Sequence, residues 1–124
     1  MKRILIYAFS ILAFTALLSG CYYDEVVVFV GLPQNVSLKN DVQPIFNTNC
    51  TAAGCHDAQG SHSPSLVAEK AFTSLTTGQY VNTVEPEKSL LYKELGAGMP
   101  PSGPLTANEK KIILAWITEG AKNN

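Results

Sequence analysis

Two thiols and one imidazole fall within seven consecutive positions of this chain, in the run Cys50-Thr51-Ala52-Ala53-Gly54-Cys55-His56. Two cysteines a few residues apart with a histidine directly after the second form a pattern that fastens a haem. The thiols bond its two vinyl groups along one edge, and the histidine reaches the iron from the same segment. The usual spacing puts two residues between the cysteines. Here four intervene, so the added residues must bulge away from the ring, and Ala52, Ala53 and Gly54 are small enough to allow it. Two other readings use the same side chains. In an oxidising compartment, a pair of nearby thiols without a cofactor would close a disulfide. A zinc site would need a fourth ligand; Asp57 and His62 are near in sequence, yet no second Cys/His pair is present. His62 itself sits in the turn Gln59-Gly60-Ser61-His62-Ser63-Pro64 and reads as a surface-loop residue.

Such a motif needs helices to hold it, and the spacing of apolar residues supplies several. Val42, Ile45 and Phe46 share one face and predict a helix ending near Asn47, just before the first thiol. Pro44 constrains its start. With Asn40 or Asp41 as N-cap the proline falls in the first turn, where a missing N–H costs little, whereas a helix beginning at Ser37 would kink. A second helix is predicted from Val67 to Leu75, with Val67, Ala71 and Leu75 on one side and a stop before Gly78. A third follows Pro86, carries Leu90, Leu91 and Leu95, and ends at Gly96-Ala97-Gly98. The last helix has the strongest local signal. Thr106 and Glu109 form a capping box ahead of Ile112, Ile113, Trp116 and Ile117, and Gly120 supplies the stop. That Ile/Trp face must be buried, and the first helix is its natural partner. The expected fold is therefore a small all-α domain with long loops around a stabilising centre.

The chain has 124 residues, of which 46% are hydrophobic and 15% charged, values that suit a leader plus one small globular domain. Lys2 and Arg3 precede a charge-free stretch from Ile4 to Leu18 that ends in Ser19 and Gly20, the pattern of a secretory leader. Its fifteen residues would span roughly 22 Å as a helix, short of the roughly 30 Å hydrocarbon core that a permanent span must cross. Leu18-Ser19-Gly20-Cys21 resembles the lipobox of bacterial lipoproteins, and the resemblance makes Cys21 the lipidated first residue of the mature protein. An ordinary leader with Cys21 as a spare thiol and an uncleaved anchor are the other readings. Several acyl chains would hold the protein firmly on a leaflet. Tyr22 lacks the acidic character that often retains lipoproteins at the inner membrane, which favours the outer membrane facing the periplasm. Residues 1–20 are read as signal peptide, 21–36 as a lipidated tether and 37–124 as the domain. Within the tether, Val26-Val27-Val28-Phe29-Val30 before Gly31-Leu32-Pro33 could form one short strand. Once Lys2 and Arg3 are removed, seven lysines face ten carboxylates and no arginine is left, which argues against a nucleic-acid partner.

A set of short segments in fixed order carries a further resemblance: Asp41-Val42-Gln43-Pro44-Ile45-Phe46, the Cys50/Cys55-His56 motif, Ser89-Leu90-Leu91-Tyr92, Met99-Pro100-Pro101, and Trp116-Ile117 with Gly120-Ala121. Together, over about two-thirds of the chain, they resemble the planctomycete-type cytochrome c domain. The resemblance implies a helical cytochrome c fold, with first and last helices packed crosswise and one covalent haem c enclosed between them and the loops. It makes Cys50 and Cys55 the thioether anchors, His56 the proximal ligand and Met99 the distal one. Met99 is also the only methionine after the initiator. A thioether is a soft ligand that favours reduced iron, and Pro100, Pro101 and Pro104 stiffen the loop presenting it. The alternative for Met99 is a gap-filling core side chain.

The resemblance thus implies a monohaem electron carrier rather than an enzyme, working with redox partner proteins outside the cytoplasm. Lys88, Lys93, Lys110 and Lys111 could guide docking to an acidic partner or pair with haem propionates, or simply be solvated. Trp116 could donate its indole N–H to a propionate or serve only as core. Two other functions stay open: a small haem enzyme or gas-binding protein with an open distal position, and a haem-free lipoprotein whose Cys50–Cys55 disulfide staples an interaction domain.

Overall fold

The first helical run starts at Ser37, not at Asn40 or Asp41, and it accommodates Pro44 by widening. In the computed structural model, which describes residues 31–124, Ser37 Oγ accepts the Asn40 N–H at 3.1 Å and the Ser37 N–H donates to Asp41 Oδ2 at 2.7 Å. Leu38–Val42 then winds as a π-helical turn, the N–H groups of Val42 and Gln43 reaching back five residues to the Ser37 and Leu38 carbonyls. Only after it does the chain tighten into helix α1, Gln43–Asn49. Proline brings no N–H and its ring crowds the carbonyl four residues earlier, so a wide turn just ahead of Pro44 is a physical alternative to the later start. The early start is held from outside the helix. Glu119 accepts the N–H groups of Asn35 and Val36 at 2.7 and 2.9 Å, and Asn124 accepts those of Leu38 and Lys39 at 3.0 and 2.9 Å.

Helix α2, Ala71–Thr77, is shorter than the spacing suggested. The Leu66 N–H is bonded to the His56 carbonyl at 2.9 Å and the Leu66 carbonyl accepts the Gln43 side-chain amide at 2.8 Å, which pins this segment to α1 and the loop. Val67 to Lys70 turn away from that tie, and Ala71 and Leu75 are fully buried on the face expected for them. Pro86 opens a 3-10 turn, Pro86–Lys88, separated from helix α3, Leu90–Ala97, by a break at Ser89. The buried Ser89 hydroxyl accepts the Asn82 N–H at 2.9 Å, and at ψ 133° its backbone is extended, so the two pieces do not fuse.

Helix α4, Ala107–Thr118, begins at the capping box as expected: Thr106 Oγ1 accepts the Glu109 N–H at 3.2 Å and Glu109 Oε2 accepts the Thr106 N–H at 2.7 Å. These bonds to the ionised carboxylate hold its pKa below the usual value. The chain leaves the helix at Gly120 with φ +99°, and the Trp116 indole donates to the Lys122 carbonyl at 2.9 Å. That bond commits the indole N–H to the backbone, so the propionate role considered for Trp116 gives way to the core role. Val42, Phe46, Ile113, Trp116 and Ile117 are fully buried in one apolar cluster joining the first and last helical runs. Among the described residues the domain is therefore all-α, built from four α-helices without strands. The apolar run 26–30, Cys21 and the leader lie outside those residues.

Trp116→Ala is expected to cost about 3–5 kcal/mol, a large share of the roughly 5–15 kcal/mol that holds a small domain folded. Denaturant unfolding of the variant checks this. A loss below about 1 kcal/mol, the ordinary cost of a surface change, would show that this face is not the centre of the core.

Candidate functional site

The loop after α1 begins with Cys50, whose N–H bonds the Phe46 carbonyl at 2.8 Å as the helix ends. The next residues form a turn in which the Cys55 N–H reaches the Ala52 carbonyl at 2.9 Å, with Gly54 at φ +82°. That φ suits the third residue of a type II turn and favours glycine there. The His56 N–H then returns to the Cys50 carbonyl at 3.1 Å. Ala52, Ala53 and Gly54 are exposed, so the residues in excess of the usual spacing project outward while the two ends of the motif are drawn together.

His56 is fixed through both ring and backbone. Its Nδ1 lies 2.8 Å from the Pro64 carbonyl and 3.3 Å from the His62 carbonyl. A carbonyl only accepts, so Nδ1 carries the proton and the neutral ring keeps its lone pair on Nε2, the nitrogen available to a metal. This is the orienting bond that metal-bound histidines ordinarily need. Asp57 secures the adjoining loop. Its carboxylate accepts the Gly54 N–H at 2.8 Å, the Ser61 N–H at 3.2 Å and the Ser61 hydroxyl at 2.9 Å, and its carbonyl accepts the Ser65 hydroxyl at 2.7 Å. The bonds to Gly54 and Ser61 hold its pKa down at about 2.

Cys50, Cys55, His56 and Met99 all line one cavity of about 580 Å³, within the roughly 300–1,000 Å³ typical of cofactor sites. Phe46, Leu66, Leu91 and Leu95 give it apolar walls, and Pro64, Pro100 and Pro101 stiffen its rim. Met99 reaches it from the loop after α3, where Gly98 at φ +127° ends the helix and the Met99 N–H bonds the Glu94 carbonyl at 3.1 Å. Met99 is 40% exposed and Leu90 46%. A gap-filling core methionine would be buried, so this exposure places Met99 as a wall of the cavity and not as packing.

Both cysteines are free thiols, Cys50 buried and Cys55 half-buried. Burial pushes the Cys50 pKa up to about 11, with the neighbouring Cys55 and Glu109 adding to it. Cys50 is therefore a thiol at neutral pH. No group of three or more His, Cys, Asp or Glu side chains is poised to hold a metal ion among the described residues. The carboxylate of Asp57 is occupied by Gly54 and Ser61, so the zinc set considered from the sequence is not assembled. His62 is exposed and borders the cavity, and it serves His56 through its carbonyl. That contact puts its backbone beside the His56 ring. Of the lysines, Lys88 is ion-paired with Glu85, Lys93 and Lys111 are exposed, and Lys110 is half-buried.

The sequence pattern points neither to the Pro64 carbonyl nor to the Asp57 bonds. An Asp followed by Gly60 and Ser61 is a recognisable turn signal, and it is the one local sign of the Asp57 bonds. Compared with protein-family models, curated proteins and solved structures, the chain matches none of them. Among the described residues no helix is long and apolar enough to cross a membrane.

Proposed function

We propose that the protein is a monohaem c-type cytochrome, similar to the planctomycete-type cytochrome c domain, that transfers electrons outside the cytoplasm while anchored to a membrane through lipid on Cys21. The observation that carries this reading is the convergence on one apolar cavity of two free thiols, a histidine already in the tautomer a metal requires, and the one internal methionine. A haem suits this donor set: it is a flat apolar ring with two vinyl groups for the thiols and an iron for an imidazole and a thioether. Bound there, it supplies one-electron chemistry between ferric and ferrous states.

The chain's own part is attachment, ligation and exclusion of water. Cys50 and Cys55 would hold the group covalently, each adding its S–H across a vinyl group, sulfur to one carbon and hydrogen to the other, with no net oxidation. His56 offers Nε2 while the Pro64 carbonyl keeps the proton on Nδ1 and the ring in place. Met99 offers a soft sulfur that favours the reduced iron. The apolar walls keep the site at low dielectric, and the bonded His56 loop resists rearrangement when charge changes. An enzyme reading would need an acid or arginine over the iron. Glu94 and His62 also border the cavity, and the only arginine in the sequence is Arg3, in the leader; because Met99 would fill the distal position, we infer an electron carrier and not an enzyme.

The visible spectrum of the purified protein tests this reading. Sharp reduced α and β bands are expected from a low-spin iron with two strong axial ligands. A high-spin spectrum would favour an open distal position, and a colourless protein the haem-free, disulfide-stapled domain. Cys21→Ser tests the anchor separately. It is expected to leave haem content unchanged and to release the protein from the membrane fraction; retention there would instead indicate an uncleaved leader.

A further inference from the structure

The longer Cys50–Cys55 spacing raises a mechanical problem that the haem reading leaves unsolved. Two added residues lengthen the loop between the anchors, and a longer loop samples more conformations before the thiols and the imidazole can meet one cofactor. We propose that Asp57 is the positioning residue that solves it, clamping the enlarged loop so that Cys55 and His56 are in place before any cofactor arrives. This inference rests on the cytochrome reading for its purpose, but its geometry stands without it.

The clamp acts at the added residues themselves. Asp57 Oδ2 takes the Gly54 N–H, inside the turn that the longer spacing creates, and the same oxygen takes the Ser61 hydroxyl. Oδ1 takes the Ser61 N–H from the far side of the loop. One buried side chain thus ties the segment before Cys55 to the segment after His56. The bonds around it continue the frame: Ser65 Oγ to the Asp57 carbonyl, the Leu66 N–H to the His56 carbonyl, and His56 Nδ1 to the Pro64 carbonyl. Asp57 lies outside every helix and does not belong to the Val42/Phe46/Trp116 cluster, so its removal leaves the core intact.

The test compares the full chain with Asp57→Ala and Asp57→Asn, each made with and without haem. In the haem-free chain, Asp57→Ala is expected to keep its helical content and lose hydrogen-exchange protection at the Gly54 and Ser61 amides. The ¹⁵N signals of the His56 ring, read in mildly alkaline buffer, are expected to move from the Nδ1–H tautomer towards a mixture. The fraction of chain carrying covalent haem should fall about tenfold, in the range seen when groups orienting a metal ligand are removed. Asp57→Asn keeps one acceptor oxygen and is expected to recover part of both signals, which a general loss of stability would not do. Unchanged amide protection and tautomer in Asp57→Ala would overturn the clamp. So would a haem yield equal to the parent's despite lost protection. If the parent itself takes up no haem, the cytochrome reading fails, while amide protection and tautomer in the haem-free chains still decide whether Asp57 holds the loop.

Discussion

The double variant Cys50→Ser, Cys55→Ser is expected to fold with its helices intact and to lose all covalently held haem. Serine keeps the size of each side chain and removes only the sulfur. Cys50 belongs to the buried apolar cluster at its edge, 8% exposed, so some stability is lost there, but the fully buried Val42, Phe46, Ile113, Trp116 and Ile117 at its centre are unchanged. Any pigment still bound through His56 and Met99 would separate from the chain on denaturation, because ligand bonds to iron do not survive loss of the fold and thioether bonds do. Far-UV circular dichroism checks the fold, and a visible spectrum of the chain after denaturation checks the linkage. Colour that remains with the denatured double variant would mean that these sulfurs are not the anchors.

Met99→Ala carries the second large effect. The variant is expected to retain its covalent haem, since both anchors and His56 lie on the other loop, and to change the iron from low-spin to high-spin or water-bound. Its reduction potential should fall on the order of 0.1 V, within the roughly 0.8 V over which axial ligands tune haem proteins, because the soft sulfur that favours the reduced iron is gone. The fold should be little disturbed: Met99 is 40% exposed on the cavity wall and packs no core. A spectrum and potential matching the parent would remove Met99 from the ligand set and return it to the role of a surface loop residue.

These two variants probe different segments lining the cavity, and the two segments differ in how they could be read from sequence. The Cys50/Cys55-His56 segment is contiguous in the chain, so residue type and spacing alone suggested its chemistry. Met99 is far from it in sequence and was connected to it only through resemblance to a family; the structure adds that both border one cavity. The last helix was legible because its signals are local: Thr106, Glu109 and Gly120 act within a turn of the helix ends they mark. The start of the first is not legible in local sequence because its determinants are distant. Ser37, Leu38 and Lys39 are held by Asn124, and Asn35 and Val36 by Glu119. No local rule for proline contains those partners. The same holds for the start of α2, delayed by the ties of Leu66 to His56 and Gln43. Asp57 hid for a different reason. Beside a histidine and two thiols an aspartate reads as a spare ligand, and only the folded loop shows its oxygens already taken by Gly54 and Ser61.

The central claim is a covalent one, and the intact mass of the mature chain, isolated from membranes of a host able to attach haem, tests it most directly. The account predicts a mass exceeding that of the amino acids and lipid by one haem, with Cys50 and Cys55 both carrying the added group on peptide mapping. A mass fully explained by polypeptide and lipid, with the two cysteines recovered as free thiols or joined to each other, would contradict it.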